Sequence, residues 1–270
     1  MEYRNINGVP DFDCFEYSEK NSRYCLCIPI INERDNIRLE LVRRRMNKVH
    51  TICDIVICDG GSTDGSTDED MLQAMGVNTL LVKKGPGKQG AQLRMGFYWA
   101  LKRGYDGIIT IDGNNKDSIE DVRKFIKKLD EGYDYVRGSR FIKGGQAINT
   151  PLSRYLAVKY IHSPVISATA REKFTDTTNN FRAYSKKYLT HPAVQPFRNV
   201  FSSYELLAYL SVRASQLGMR TCEVPVTRAY PNGGKVPTKI SPIKGNVKLM
   251  KILLANAAGR YKPKKQKGEK

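Results

Sequence analysis

From Tyr24 onward, short unbroken apolar runs alternate with longer stretches in which apolar and charged positions interleave. Tyr24 to Ile31 (YCLCIPII), Ile52 to Cys58 (ICDIVIC), Thr79 to Val82, Gly107 to Ile111 (GIITI) and Tyr133 to Val136 have the length and β-branched character of buried strands. Asn36 to Met46 and Gln89 to Lys102 pattern as helices. A further helix runs from its cap at Ser118 to Leu129, with Glu120 and Asp121 suiting the dipole of its first turn. Apolar strands between helices predict an α/β domain with a mostly parallel sheet covered on both faces. Ligands of such sheets bind beyond the carboxyl ends of the strands. Four loops there carry polar groups: Asn32-Glu33, Asp59 to Ser62, Asp112 to Asp117 and Gly138 to Arg140.

From Gly144 the pattern changes. Pro151 to Ala170 reads as a helix interrupted near Pro164, Asn180 to Tyr184 as a strand, Ser203 to Leu217 as a helix and Arg220 to Val226 as a strand. A Gly/Pro-rich basic loop, Arg228 to Pro242, precedes a helix from Lys244 to Ala258. The expected organisation is a leader (1–22), a first α/β half (23–145), a second half of the same domain (146–258) and a basic tail (259–270) that is too polar and lysine-rich to fold.

Composition narrows the partners. The 270 residues hold 45 Lys and Arg against 27 Asp and Glu, a formal net charge of +18, which calls for an anionic partner: nucleic acid, an anionic membrane or a phosphate-bearing substrate. No apolar run approaches the roughly 20 residues that span a bilayer, and Met1 to Lys20 lacks the apolar core of a secretory signal. The expected location is therefore cytoplasmic. Six cysteines without a CxxC pair read as reduced, buried thiols.

The candidate chemistry lies in the strand-end loops. Pro29, Asn32 and Glu33 end one strand, and Asp59-Gly60-Gly61-Ser62 ends the next; a Gly/Ser turn with a carboxylate suits a base or ribose, although Asp59 and Asp64 also suit plain turn capping. Asp112, with Asn114 and Asp117 close behind, offers oxygen ligands of the kind Mg²⁺ or Mn²⁺ takes. Gly85-Pro86-Gly87-Lys88-Gln89-Gly90 matches the GxGxxG of dinucleotide sites, yet follows the third strand rather than the first, so a nicotinamide or flavin enzyme stays only an alternative. Arg140 is suited to phosphate. Asp176, and Glu205 in the first turn of a helix, are carboxylates of open role. A basic nucleic-acid-binding protein is a second alternative, but no helix-turn-helix, zinc-finger or RNA-recognition signature accompanies the charge.

Taken in order, IPIINERDNI, DGGSTDGS, GKQGAQLRMGF, RGSRF, DTTNNFRAY, YELL and CEVPV resemble the family 2 inverting glycosyltransferases, in particular the dolichyl- or polyprenyl-phosphate mannose synthase-like branch, from about Tyr24 to Lys251. The resemblance implies a GT-A-like domain whose first half binds a nucleotide sugar and whose second half faces the acceptor. It further implies that Pro29, Asn32, Glu33, Asp59, Gly61, Ser62, Lys88 and Gln89 line the donor site, that Asp112 opens an Asp-x-Asp metal motif whose third position is Asn114 here, and that Arg140, Arg228 and Lys239 contact phosphates. With a hydroxyl acceptor Glu205, then Asp176, would serve as general base; a lipid phosphate acceptor needs none. The apolar last helix, flanked by lysines, is a candidate for peripheral contact with anionic lipid at the inner face of a membrane.

Overall fold

The computed structural model describes residues 1–231 and 244–263. A nine-stranded sheet forms the core of the molecule. Its first five strands are β1 (Glu2–Tyr3), β2 (Phe12–Glu16), β3 (Tyr24–Ile30), β4 (Asp54–Asp59) and β5 (Thr79–Lys83). They are followed by β6 (Gly107–Thr110), β7 (Tyr135–Ser139), β8 (Gln146–Ile148), β9 (Arg182–Ser185), β10 (Thr221–Pro225) and β11 (Thr227–Ala229). The helices are α1 (Arg34–Met46), α2 (Glu69–Ala74), α3 (Gln89–Lys102), α4 (Val122–Asp130), α5 (Leu152–Ala157), α6 (Ser163–Ala170), α7 (Lys186–Thr190), α8 (Glu205–Gln216) and α9 (Lys244–Ala257).

The order across the sheet is β1-β2-β5-β4-β3-β6-β9-β7-β10. Its centre, β5-β4-β3-β6, is parallel as the apolar runs require, whereas β9 runs antiparallel to both β6 and β7. The sheet as a whole is therefore mixed. The stretch before Ser22 is built into it: Phe12 to Glu16 pairs with β5, and its alternating burial shows why no continuous apolar run announced it. The chain leaves β3 towards β4 on one side and later returns to β6 on the other, so the sheet changes winding direction at β3. That switch point is where an open α/β sheet leaves a crevice beyond its strand ends.

Two apolar layers cover the faces. Leu93, Phe97 and Trp99 of α3 pack with Leu206 and Leu210 of α8 on one side, and Ile37 and Leu41 of α1 with Phe125 and Leu129 of α4 on the other. The helix expected to break near Pro164 instead passes through one π-type turn, Val158–His162, and continues as α6 with Pro164 in its first turn, where a missing N–H costs least. All six thiols are free, and five are buried. A second small sheet, β8 with β11, crosses the carboxyl end of the main sheet's second half. No described helix is long and apolar enough to cross a membrane. Lys239 and most of the basic loop and tail lie outside the described residues.

Candidate active site

The loops after β3 and β4 interlock. The Asp59 carboxylate accepts the Gly61 amide at 2.7 Å and the Ser62 amide at 3.0 Å, and Ser62 Oγ in turn accepts the Asn32 amide at 2.9 Å. Asn32 Oδ1 takes the Thr63 amide, and Asp64 caps α1 by accepting the Arg34 amide. Gly61 has φ +97°, a backbone that side chains rarely adopt. Asp59 is thus the lock of its own turn, and the turn presents Asn32 and Gly61 to solvent at the crevice. Glu33 holds Asn36 Nδ2 at 2.8 Å, and Pro29 lies buried one residue before the end of β3. Gln92, which the motifs did not single out, stitches the two strand ends by donating to the Ile30 and Cys58 carbonyls.

Asp112 lies two residues beyond the end of β6. Gln89, the first residue of α3, donates to its Oδ1 at 3.0 Å, and Arg228 Nη2 meets its Oδ2 at 3.1 Å. Gly113 lets the loop press on β3, because a Cβ there would sit 2.5 Å from Ile30 Cγ2. Lys88 stays exposed, its amide bonded to the Ser202 carbonyl. The structure therefore gathers Gln89, Asp112 and Arg228 around one carboxylate.

Asn114 Oδ1 is buried and has no hydrogen-bond partner. An acceptor oxygen left so beside the half-exposed Asp112 fits a divalent cation. Asp117 takes a different place from the one expected of it: it is fully buried, and its Oδ2 is bound by Arg228 Nη1. That oxygen makes it the counter-ion of Arg228, while its Oδ1, like Asn114 Oδ1, is buried without a hydrogen-bond partner. Among the described residues no three His, Cys, Asp or Glu side chains converge as a metal cage. Burial would lower the Arg228 guanidinium, but Asp117 and Asp112 outweigh it and hold the charge in place.

Three cations surround the Tyr230 ring: Lys116 Nζ at 5.4 Å, Arg154 Cζ at 5.4 Å and Arg228 Cζ at 5.9 Å from its centroid. Arg154 also donates to the Tyr230 hydroxyl at 2.8 Å. Burial would raise this phenol, yet Arg228 and Arg154 hold it below its ordinary value. Burial, followed by Arg228, likewise pulls the Lys116 amine down. This rim of the site is electropositive. Arg154 lies outside every strand-end signature, and Lys116, although inside the Asp112 to Asp117 loop, stands among carboxylates and amides that drew attention to metal rather than to phosphate.

Two expectations change. Arg140 and Asp176 form a buried bidentate pair, Nε to Oδ2 at 2.6 Å and Nη2 to Oδ1 at 2.9 Å. Asp176 also accepts amides from Arg140, Thr178 and Asn179. Burial would raise this carboxyl, but Arg140 and these bonds keep it below the usual range. A carboxylate with its oxygens so engaged has little capacity left to take a proton from an acceptor. Arg140 spends its fork on Asp176, which ties β7 to the 175–179 loop. Glu205 is buried as the first residue of α8, where its Oε2 accepts the amide of Ser203 just ahead of the helix and its carboxylate suits the positive end of the helix dipole.

This geometry has relatives. No protein-family model matches the chain. It is 28% identical over 217 residues to the polyprenol monophosphomannose synthase of Mycolicibacterium smegmatis, covering 76% of this chain and 77% of that one. It is 28% identical over 208 residues to the undecaprenyl-phosphate mannosyltransferase of Micrococcus luteus, covering 76% and 83%. Its fold matches glucosyl-3-phosphoglycerate synthase from Mycobacterium tuberculosis, solved with Mn²⁺, UDP and phosphoglyceric acid, with a TM-score of 0.63, 17% identity, and 89% and 79% coverage. The chain is a glycosyltransferase with the GT-A fold, and it resembles the family 2 enzymes. Within that class it is similar to the polyprenyl-phosphate mannose synthase-like branch.

Proposed function

We propose that the chain transfers a sugar from a nucleoside-diphosphate sugar to a lipid-phosphate acceptor of the polyprenyl-phosphate type, with inversion at the anomeric carbon. The observation that carries this reading is the meeting of Asp112 with Gln89 and Arg228 at the switch point of the sheet, beside the Tyr230 cation cluster. Pro29, Asn32, Glu33, Asp59, Gly61 and Ser62 would receive the nucleoside, and Lys88, Arg228 and Lys239 the diphosphate. Asp112 and Asn114 would hold Mg²⁺ or Mn²⁺, which, when bound, neutralises charge on the departing diphosphate. Solved complexes of the mycobacterial glucosyl-3-phosphoglycerate synthase with UDP and either Mn²⁺ or Mg²⁺ support that choice of ion.

The acceptor reading rests on charge. Lys116, Arg154 and Arg228 suit an oxyanion better than a neutral hydroxyl, and both mannosyltransferase relatives are named for lipid-phosphate or polyprenol chemistry. A phosphate oxygen is already anionic and attacks without a general base, in keeping with the engagement of Asp176 by Arg140 and of Glu205 by the Ser203 amide. Contact with an anionic bilayer is supported by exposed Leu152, Leu156, Tyr160 and Ile161, and by Val247 and Leu254 of α9, which packs on α6. Lys159, Lys248 and Lys251 are exposed along the same elements. The reading is tested by thermal shift with UDP-, GDP-, CMP- and dTDP-sugars, with and without Mn²⁺ or Mg²⁺. Binding to the native state raises the melting temperature by mass action. A metal-dependent rise with one nucleotide supports it; no rise with any of them, alongside a rise with NAD(P) or DNA, refutes it.

A further inference from the structure

On the buried face of α1, between Ile37 and Leu41, stands a carboxyl group that is fully enclosed: Glu40. An enclosed carboxyl costs several kcal/mol unless it is bonded or neutral, and burial pushes this one well above the ordinary carboxylate range. Its Oε2 accepts the backbone amide of Asn115 at 3.0 Å, while Oε1 has no partner. Asn115 is the left-handed residue of the loop after β6, with φ +53°. One helical turn beyond Glu40, Arg43 Nη1 donates to Asn115 Oδ1 at 2.9 Å and to the Asp117 carbonyl at 3.3 Å. Helix α1 therefore grips Asn115 by both its amide and its side chain. On the opposite flank β11 fixes the same loop, Ala229 donating to the Lys116 carbonyl at 2.8 Å and Ser118 to the Thr227 carbonyl at 3.0 Å.

We infer that Glu40 is a positioning residue of the donor site: by holding the Asn115 amide it maintains the left-handed turn that aims Asp112 and Asn114 into the crevice. The part of this inference that concerns ligand binding rests on the function proposed above; the part that concerns the loop does not. Asn115 adjoins Asn114, whose Oδ1 is the unfilled acceptor, and lies three residues after Asp112. Loss of the Glu40 bond leaves a partly buried amide unpaired, which the loop relieves by moving. Glutamine keeps the acceptor at the same reach without a charge; leucine keeps the volume and removes the acceptor.

The test compares Glu40→Gln with Glu40→Leu in the full chain by two measurements: amide hydrogen exchange across residues 112–117, and binding of UDP and GDP with and without Mn²⁺ by calorimetry. Glu40→Gln is expected to match the wild type in both. Glu40→Leu, folded by circular dichroism, is expected to exchange faster across 112–117 and to lose about tenfold or more in metal-dependent nucleotide affinity, with metal-free affinity unchanged. If Glu40→Leu does not fold, Glu40→Asp, which draws the carboxyl back by one methylene, is expected to show the same two losses. Exchange and affinity both unchanged in the folded variant overturn the inference. Faster exchange with no metal dependence even in the wild type upholds the positioning of the loop and refutes the metal reading instead.

Discussion

Arg228 reaches Asp112 with one arm of its guanidinium and Asp117 with the other, so a single cation joins the crevice carboxylate to a wholly buried one. The register of β11 makes this possible: residues 227–229 run beside residues 116–118, with an isolated bridge between Asp117 and Arg228. Replacing Arg228 by Met keeps much of the volume but strands Asp117. Breaking a buried pair from one side costs about 3–5 kcal/mol, so urea denaturation is expected to show a loss of that order. Calorimetry is expected to show nucleoside diphosphate binding weakened by at least about tenfold, the effect of losing one charge-assisted contact. Unchanged binding would remove Arg228 from the diphosphate.

The neutral Asn114 stands where the related motif has a second carboxylate. Divalent-ion affinity follows the charge of the ligand set. Asn114→Asp is therefore expected to tighten Mn²⁺ binding in the presence of nucleotide, and Asp112→Ala to abolish it, both read by Mn²⁺ electron paramagnetic resonance. Equal affinity in all three proteins would place the ion elsewhere.

The Arg140–Asp176 pair predicts a pH effect of definite sign. The folded pKa of Asp176 lies below its unfolded value near 3.9. Its stabilisation is thus complete above about pH 4 and is lost as pH falls through the folded value. Asp176→Asn leaves Arg140 buried without its counter-ion and is expected to cost about 3–5 kcal/mol at pH 7. Denaturation at pH 7 and pH 3 should show the variant's deficit shrinking in acid. A deficit that grows as pH falls would contradict the assignment.

Glu205 separates the two acceptor chemistries. If the acceptor is a phosphate, Glu205→Gln keeps an acceptor for the Ser203 amide and leaves turnover within a few-fold of wild type, whereas loss of a general base lowers kcat by about 10²–10⁴. Steady-state kinetics with polyprenyl phosphate decides between them. Arg154→Ala is expected to raise KM for the same acceptor while sparing donor binding.

The parallel centre of the sheet was legible because buried strands such as YCLCIPII and ICDIVIC are apolar on both faces and end in polar loops at one edge. Strand β2 was not, since Phe12 and Cys14 face inward while Asp13 is polar and Phe15 is exposed, a pattern too short and too mixed to stand out in a leader. Asp59 and Asp112 were placed correctly at strand ends, but sequence spacing does not show where a carboxylate spends its hydrogen bonds. Asp176 and Asp117 looked like open acids; each proves to be the counter-ion of an arginine distant in sequence. Glu40 left a faint signal, a charged residue inside an apolar helical stripe, whose meaning depends on a loop 75 residues away.

Sugar transfer to lipid is the decisive measurement. The chain would be incubated with the nucleotide sugar found by thermal shift, Mn²⁺ or Mg²⁺, and polyprenyl phosphate in anionic vesicles, and the lipid fraction analysed by mass spectrometry. The expected product is a glycosyl phospholipid of inverted anomeric configuration, formed by the wild type and absent with Asp112→Ala. Binding of the donor without any glycosylated lipid, or equal product from Asp112→Ala, would contradict the proposed transfer.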